Sequence, residues 1–197
     1  MTVTSTFMIQ RHIGDELLAH GWHAAAIADP HNPGSAWILT DPRRRVKVRM
    51  STDFAAPCAS ITASRLSSSP QINLPWSTVI DFAEATAILA AVFAAASTGD
   101  SRPGTTREHR AIVRALAASG MSPDASRLRR AFTGSCTWQT SDQRARATWR
   151  PPSRADNGGW LITAPTLQAT TTAAVPAAVL AALIDAAVTW NRQESSS

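Results

Sequence analysis

Cations at alternate positions form one charged surface if their segment is extended, because successive side chains of a strand point to opposite faces. Arg43, Arg45, Lys47 and Arg49 have that spacing, with Val46, Val48 and Met50 interleaved. Arg144, Arg146 and Arg150 recur about a hundred residues later. Seven such cations on two strand faces suit a phosphate backbone. Trp76, Trp149 or Trp160 would add a stacking platform of the kind used on unpaired bases. The same pattern has a plainer use, since charges on a solvent-facing strand blunt a sheet edge.

A second basic group has helical spacing. Arg107, Arg110 and Arg114 follow i, i+3, i+7, opposite the face that carries Ile112 and Leu116. Gly120-Met121-Ser122-Pro123-Asp124 then leads to Arg127, Arg129 and Arg130, in the order of a helix-turn-helix. Gly and Pro are also ordinary helix punctuation, and no apolar pattern fixes the second helix.

Catalytic chemistry finds little footing. His20, His23, Asp29 and His31 crowd together but straddle a helix end, without HExxH spacing or a second ligand cluster. No GxSxG elbow, P-loop or GxGxxG occurs. Asp41 and Asp142 each adjoin a turn, where Asp is used structurally. Cys58 and Cys136 lack a CxxC partner, so neither a disulfide framework nor a zinc site is expected. The expectation is a non-enzyme with no catalytic residues, no metal and no cofactor.

The elements that must position these residues come from the same chain. Its 197 residues are 44% hydrophobic and 17% charged, a globular composition able to bury a core. The net charge of +5 is uneven. Residues 1–98 balance, whereas 102–154 hold eleven Arg against Glu108, Asp124 and Asp142. Such an excess attracts polyanions without specifying them. Met1 to Gln10 shows no basic residue followed by an apolar core, and the Ala-rich stretches at 82–96 and 173–190 carry Glu84 and Asp185. No signal peptide and no membrane span are expected, and a reducing cytoplasm is the default.

The chain reads as a tandem repeat. At an offset of 101, Trp37, Asp41, Arg43, Arg45 and Arg49 fall on Trp138, Asp142, Arg144, Arg146 and Arg150, and Ile61-Thr62-Ala63 falls on Ile162-Thr163-Ala164. That is eight identities in 27 positions, where chance gives roughly two. Ile13, Leu17 and Gly21 match Ile112, Leu116 and Gly120 at offset 99, and Ile88 to Phe93 match Val179 to Ile184 at offset 91.

Periodicity gives each copy the order helix, three strands, helix. The first has a helical face of Ile13, Leu17 and Leu18 ended by Gly21, strands near 36–39, 45–50 and 59–65, and a closing helix striped by Ile88, Leu89, Val92, Phe93 and Ala96. The second has a helix near 106–118, strands near 135–141, 144–150 and 160–166, a turn at Asn157-Gly158-Gly159 and a helix over 177–190. The expected fold is α+β: tandem pseudo-symmetric α-β-β-β-α repeats with antiparallel sheets, over 8–97 and 105–190, with a disordered tail over 191–197. Trp37 and Trp138 would be equivalent core anchors.

Leu18-x-x-Gly21-Trp22, Trp37-x-Leu39-Thr40-Asp41, Val46-Lys47-Val48-Arg49, the Ile-Thr-Ala strand and the Ala-rich closing helix resemble a domain of unknown function common in Streptomyces and relatives, often present twice in one chain. Gln143 after Asp142, and Met121 in place of a Trp, depart from its pattern. The resemblance implies a repeat fold and an actinobacterial source, and no established activity. The expected function is non-enzymatic nucleic-acid binding, DNA favoured, through Arg43, Arg45, Lys47, Arg49, Arg144, Arg146 and Arg150, with Arg107, Arg110 and Arg114 as a helical surface. The alternative is a protein-interaction or homodimerisation scaffold. No membrane partner and no small-molecule substrate is expected.

Overall fold

The computed structural model describes residues 3–29, 32–51, 58–63, 76–98, 106–124, 134–153 and 158–194. Helix α1 (Val3–Ala19) is followed by β1 (His23–Asp29), β2 (Asn32–Thr40), β3 (Val46–Ser51), β4 (Ala59–Ala63), β5 (Ser77–Phe82) and α2 (Ala85–Ser97). Then come α3 (Thr106–Ala118), β6 (Ser122–Pro123), β7 (Cys136–Gln139), β8 (Arg146–Arg150), β9 (Gly159–Ala164), β10 (Leu167–Thr172) and α4 (Ala177–Glu194). The chain is mixed helix and sheet, with all ten strands in one antiparallel sheet ordered β1-β2-β3-β4-β5-β10-β9-β8-β7-β6.

Each half carries five strands where periodicity predicts three. The additional ones are β1, β5, β6 and β10. β1 reads His-Ala-Ala-Ala-Ile-Ala-Asp, with little strand propensity, and is extended because it pairs along β2. β6 is only two residues long. Residues 191–194, expected in a disordered tail, belong to α4, which continues to Glu194, and 195–197 lie outside the described residues.

Directly paired residues share a sheet face, so register assigns sides. Leu39, Val48, Ile61 and Thr78 are successive partners across β2 to β5, and Thr78 pairs with Thr171 on β10. Thr171 faces Trp160, which faces Trp149 on β8. This row is the inner face, and from Leu39 to Trp160 each member is buried. Four helices cover it: α2 and α4 pack on each other in the middle, with α1 on α2 and α3 on α4. No helix is long and apolar enough to cross a membrane among the described residues.

Both opening helices end alike. Gly21 and Gly120 have φ of +78°, and Trp22 N and Met121 N donate to Leu17 O and Leu116 O. These are Schellman endings, in which glycine takes the left-handed conformation without a Cβ clash. On α1, Ile13 and Leu17 are buried, but Leu18 turns outward with 43% exposure, off the predicted apolar face.

The tryptophans differ from expectation. Trp37 pairs with Met50, whereas it is Cys136 that pairs with Trp149, and Trp138 pairs with Ala147. Trp37 and Trp138 therefore stand two residues apart within their hairpins and are not equivalent. Trp37 is 42% exposed, lying over Gly14 of α1, where an added Cβ would come within 3.4 Å of the indole. The anchor is Trp160, 2% exposed, with Trp138 and Trp149 tilted against it at centroid distances of 5.4 and 5.3 Å. Emptying that site removes a large apolar surface and two ring contacts. Trp160→Ala is expected to cost about 3–5 kcal/mol in a urea titration, and Trp37→Ala clearly less. Equal losses would contradict this ranking.

Candidate nucleic-acid interface

The face opposite the helices is open, as antiparallel sheets allow. Its side chains follow from the same register: His23 and Ala25 on β1, Ile38 and Thr40 on β2, Lys47 and Arg49 on β3, Ser60 and Thr62 on β4, and Ser77, Val79, Asp81 and, through its pairing with Gln168, Phe82 on β5. On the other side of the join stand Gln168, Thr170 and Thr172 on β10, Leu161 and Thr163 on β9, Arg146, Thr148 and Arg150 on β8, and Thr137 and Gln139 on β7. Lys47, Arg49, Arg146 and Arg150 are exposed. The carboxylate of this set is Asp81, which accepts a hydrogen bond from Gln168 Nε2 at 2.8 Å. The rest is mostly hydroxyl, with Thr137 and Thr148 Oγ1 hydrogen-bonded at 3.2 Å across β7 and β8.

The two cation pairs thus occupy one continuous sheet. Lys47 pairs with Thr62 and Thr62 with Ser77. Ser77 N donates to Thr172 Oγ1, and Thr172 faces Gly159, which faces Arg150. Lys47 and Arg150 therefore end one cross-strand row that traverses β4, β5, β10 and β9. Five spacings of about 4.8 Å put them about 24 Å apart along the sheet.

Three of the predicted strand cations precede their strands, where alternation has not begun. Arg43 is exposed in the β2–β3 turn, and Arg144 is exposed in the β7–β8 turn. These turns lie at opposite ends of the sheet, beside Lys47 and beside Arg146 respectively. Arg45 is corrected outright. Its Nη2 donates to Ala96 O at 2.6 Å, at the last turn of α2, and its Nε is buried without a partner. A guanidinium there satisfies a terminal helix carbonyl and complements the helix dipole, so Arg45 holds α2 against the sheet.

The turns explain the repeated carboxylates. Asp41, 2% exposed, accepts from Arg43 N at 3.3 Å, from Val46 N at 2.7 Å and from Arg45 N. Asp at the first turn position with Pro42 next is a favoured turn sequence. In the β7–β8 turn this task falls to Thr140, whose Oγ1 accepts from Ala145 N at 3.2 Å and donates to Asp142. That hydroxyl, with Arg144 N, holds the exposed Asp142 carboxyl below its usual range. Arg44 and Gln143 occupy the left-handed region at φ 56° and 58°.

Other predicted features lie elsewhere. Arg110 and Arg114 are exposed on α3, in the helix layer, on the far side of the sheet from Lys47 and Arg49. Arg107 belongs to the same helix, and its side chain lies outside the described residues, as do Arg127, Arg129 and Arg130. Trp76 and Trp160 are buried and Trp149 points to the inner face, so none is a stacking platform on the cationic surface. His20 Nδ1 is 2.8 Å from Glu16 O and its ring lies 4.8 Å from Phe93. His31 is outside the described residues, and no group of three metal-ligating side chains forms among the described ones. Burial pushes the Cys58 thiol up, and burial with the charge of Asp124 does the same for Cys136. A cleft of about 250 Å³ between α2, α4 and the β9–β10 turn is lined by Glu84, Thr86, Leu167, Asp185 and Thr189. Its acidic walls set it apart from the cationic face.

No family model, curated protein or solved structure matches this chain. What it can bind must follow from its own surface.

Arg45 and Asp41 are separable from that surface by experiment. Arg45→Ala is expected to lower stability by about 1–2 kcal/mol through the lost helix cap, leaving Lys47 and Arg49 in place. Asp41→Ala strands three backbone donors and is expected to cost about 1–3 kcal/mol in the same urea titration. Unchanged midpoints would mean that neither side chain carries the turn.

Proposed function

We propose that this chain is a non-enzymatic, internally duplicated nucleic-acid-binding protein of the cytoplasm that takes up DNA on the open face of its sheet. The observation that carries this reading is the convergence of Lys47, Arg49, Arg146 and Arg150 on one uncovered face, where Asp81 is the carboxylate that register places on strands β2 to β5 and β7 to β10. Cations displayed beside rows of hydroxyl donors offer a phosphate backbone both charge and hydrogen bonds. Arg43 and Arg144, at the two turn ends, extend the surface. Arg110 and Arg114 form a separate patch. Arg45 drops out of the set.

Duplication is supported by more than the offset of 101. Gly21 and Gly120, Asp41 and Thr140, and Arg44 and Gln143 perform matching tasks, each pair 99 positions apart. The offset becomes 101 at Ile61 and Ile162 because β3-to-β4 is two residues longer in the second half. It is 91 from β5 onward, and Val79 pairs with Thr170, its own counterpart at that offset. Thr78–Thr171 and Ile80–Ala169 flank this pair reciprocally, as a two-fold axis through it requires.

Replacing Lys47, Arg49, Arg146 and Arg150 by Gln is expected to leave the melting midpoint within a degree or two. It should flatten the dependence of log affinity on log salt by up to about 3.6 for duplex DNA, at about 0.9 per phosphate contact. Arg110→Gln with Arg114→Gln should change that slope less. Absence of salt-sensitive binding to any DNA at micromolar protein sinks the reading. A concentration-dependent self-association would then favour the scaffold alternative.

A further inference from the structure

Resting on the nucleic-acid reading, we infer that the open face takes double-stranded DNA and grips it at two points, one on β3 and one on β8. Two observations carry this. The first is that no tryptophan lies on the open face among the described residues. The rings there are His23, in the Lys47 row on the β1 flank, and Phe82, which pairs with Gln168 at the bulge of β5. Trp37, Trp138, Trp149 and Trp160 all share the inner-face register of Val48 and Ile61. Proteins that hold single strands gain much of their affinity from bases stacked on aromatic rings. Between its cations this face offers mainly Ser, Thr and Gln hydroxyls and amides, which reach sugars and phosphates, and no indole on which an unpaired base could stack.

The second observation is spacing. Between Lys47–Arg49 and Arg146–Arg150 lie four strands, β4, β5, β10 and β9, with no cation on the open face of any of their described residues. Lys47 and Arg150 end one row about 24 Å apart. Arg146 lies four residues further along β8, so its diagonal to Lys47 is about 28 Å at about 3.4 Å per residue. At about 3.4 Å of rise per phosphate of one strand, these spans correspond to about seven to eight base pairs. A duplex holds its phosphates at that separation without further ordering, whereas a flexible single strand must be ordered to touch both ends. Ten strands are also far wider than a groove of about 12 Å. The sheet must therefore lie across the backbones and read them as a surface, and the second contact becomes intramolecular once the first is made.

The test uses the full chain and fluorescence anisotropy at fixed low salt, with DNA hairpins whose stems run from about 4 to about 12 base pairs and an oligo-dT strand of the longest hairpin's length. Affinity is expected to rise at least about tenfold as the stem passes about seven to eight base pairs, then to level off. The oligo-dT strand should bind at least about tenfold more weakly than the longest stem. Lys47→Gln with Arg49→Gln, and separately Arg146→Gln with Arg150→Gln, should each abolish the length threshold and reduce long stems to the affinity of short ones. Circular dichroism melts of both variants establish that they are folded. Oligo-dT binding as tight as the long stem, or a threshold that survives in either folded variant, overturns the two-point duplex grip and leaves nucleic-acid binding standing. No binding to any of these DNAs overturns both.

Discussion

Everything in this molecule depends on the pairing of β5 with β10. Each five-stranded half ends its meander on a strand whose outer edge would be a row of bare donors and acceptors, an aggregation hazard if left open. Joining Thr78, Val79, Ile80 and Phe82 to Thr171, Thr170, Ala169 and Gln168 satisfies both edges at once. It also fixes which way the halves face. Because paired residues share a side, one join brings the apolar rows of both halves to the same face, where α2 and α4 cover the seam by packing on each other. Thr172 adds a polar stitch, accepting from Ser77 N at 3.1 Å. Thr78 Oγ1 is buried without a partner beside that seam, a small cost for matching the two halves.

The open face is the other consequence. All helices are spent on the inner side, so the outer one must be compatible with water over ten strands. Thr and Ser meet that condition while keeping strand propensity, which explains why hydroxyls dominate the centre. Cations on the flanks then cost no desolvation. Their positions are set by register and not by chain proximity: Lys47 and Arg150 are more than a hundred residues apart in sequence and share one row.

Much of this was legible before the fold was known, where a local rule fixes the outcome. Gly21 and Gly120 announce helix endings, and Asp41-Pro42 announces a turn. The alternation over 46–50 correctly separates Val48 from Lys47 and Arg49. Strands without intrinsic signal were not legible. An Ala run such as 24–26 becomes β1 only because β2 is there to pair with it. Trp37 and Trp138 misled for a related reason. Identical residues at a shared offset suggested equivalence, but the extra two residues fall between β3 and β4, so the offset of 101 holds for Ile61 and is wrong for everything before it. The hydrogen bonds of the two turns instead set Asp41 beside Thr140, 99 positions apart.

Arg45 shows why alternation must be counted from the first residue that is paired. By parity it belongs with Lys47 and Arg49, opposite Val46. Yet it precedes the strand, in a turn whose backbone is set by Asp41 and by the left-handed Arg44. Freed from the pleat, its side chain reaches Ala96 O and caps α2. Gln143 takes the place of Arg44 in the other turn at nearly the same φ. The backbone there demands a conformation, not a charge. Charge that survives in the strands, where register leaves a side chain no other direction, is therefore the better guide to a binding surface than charge in the turns. By that criterion the proposed interface rests on Lys47, Arg49, Arg146 and Arg150, and Arg43 and Arg144 can only extend it.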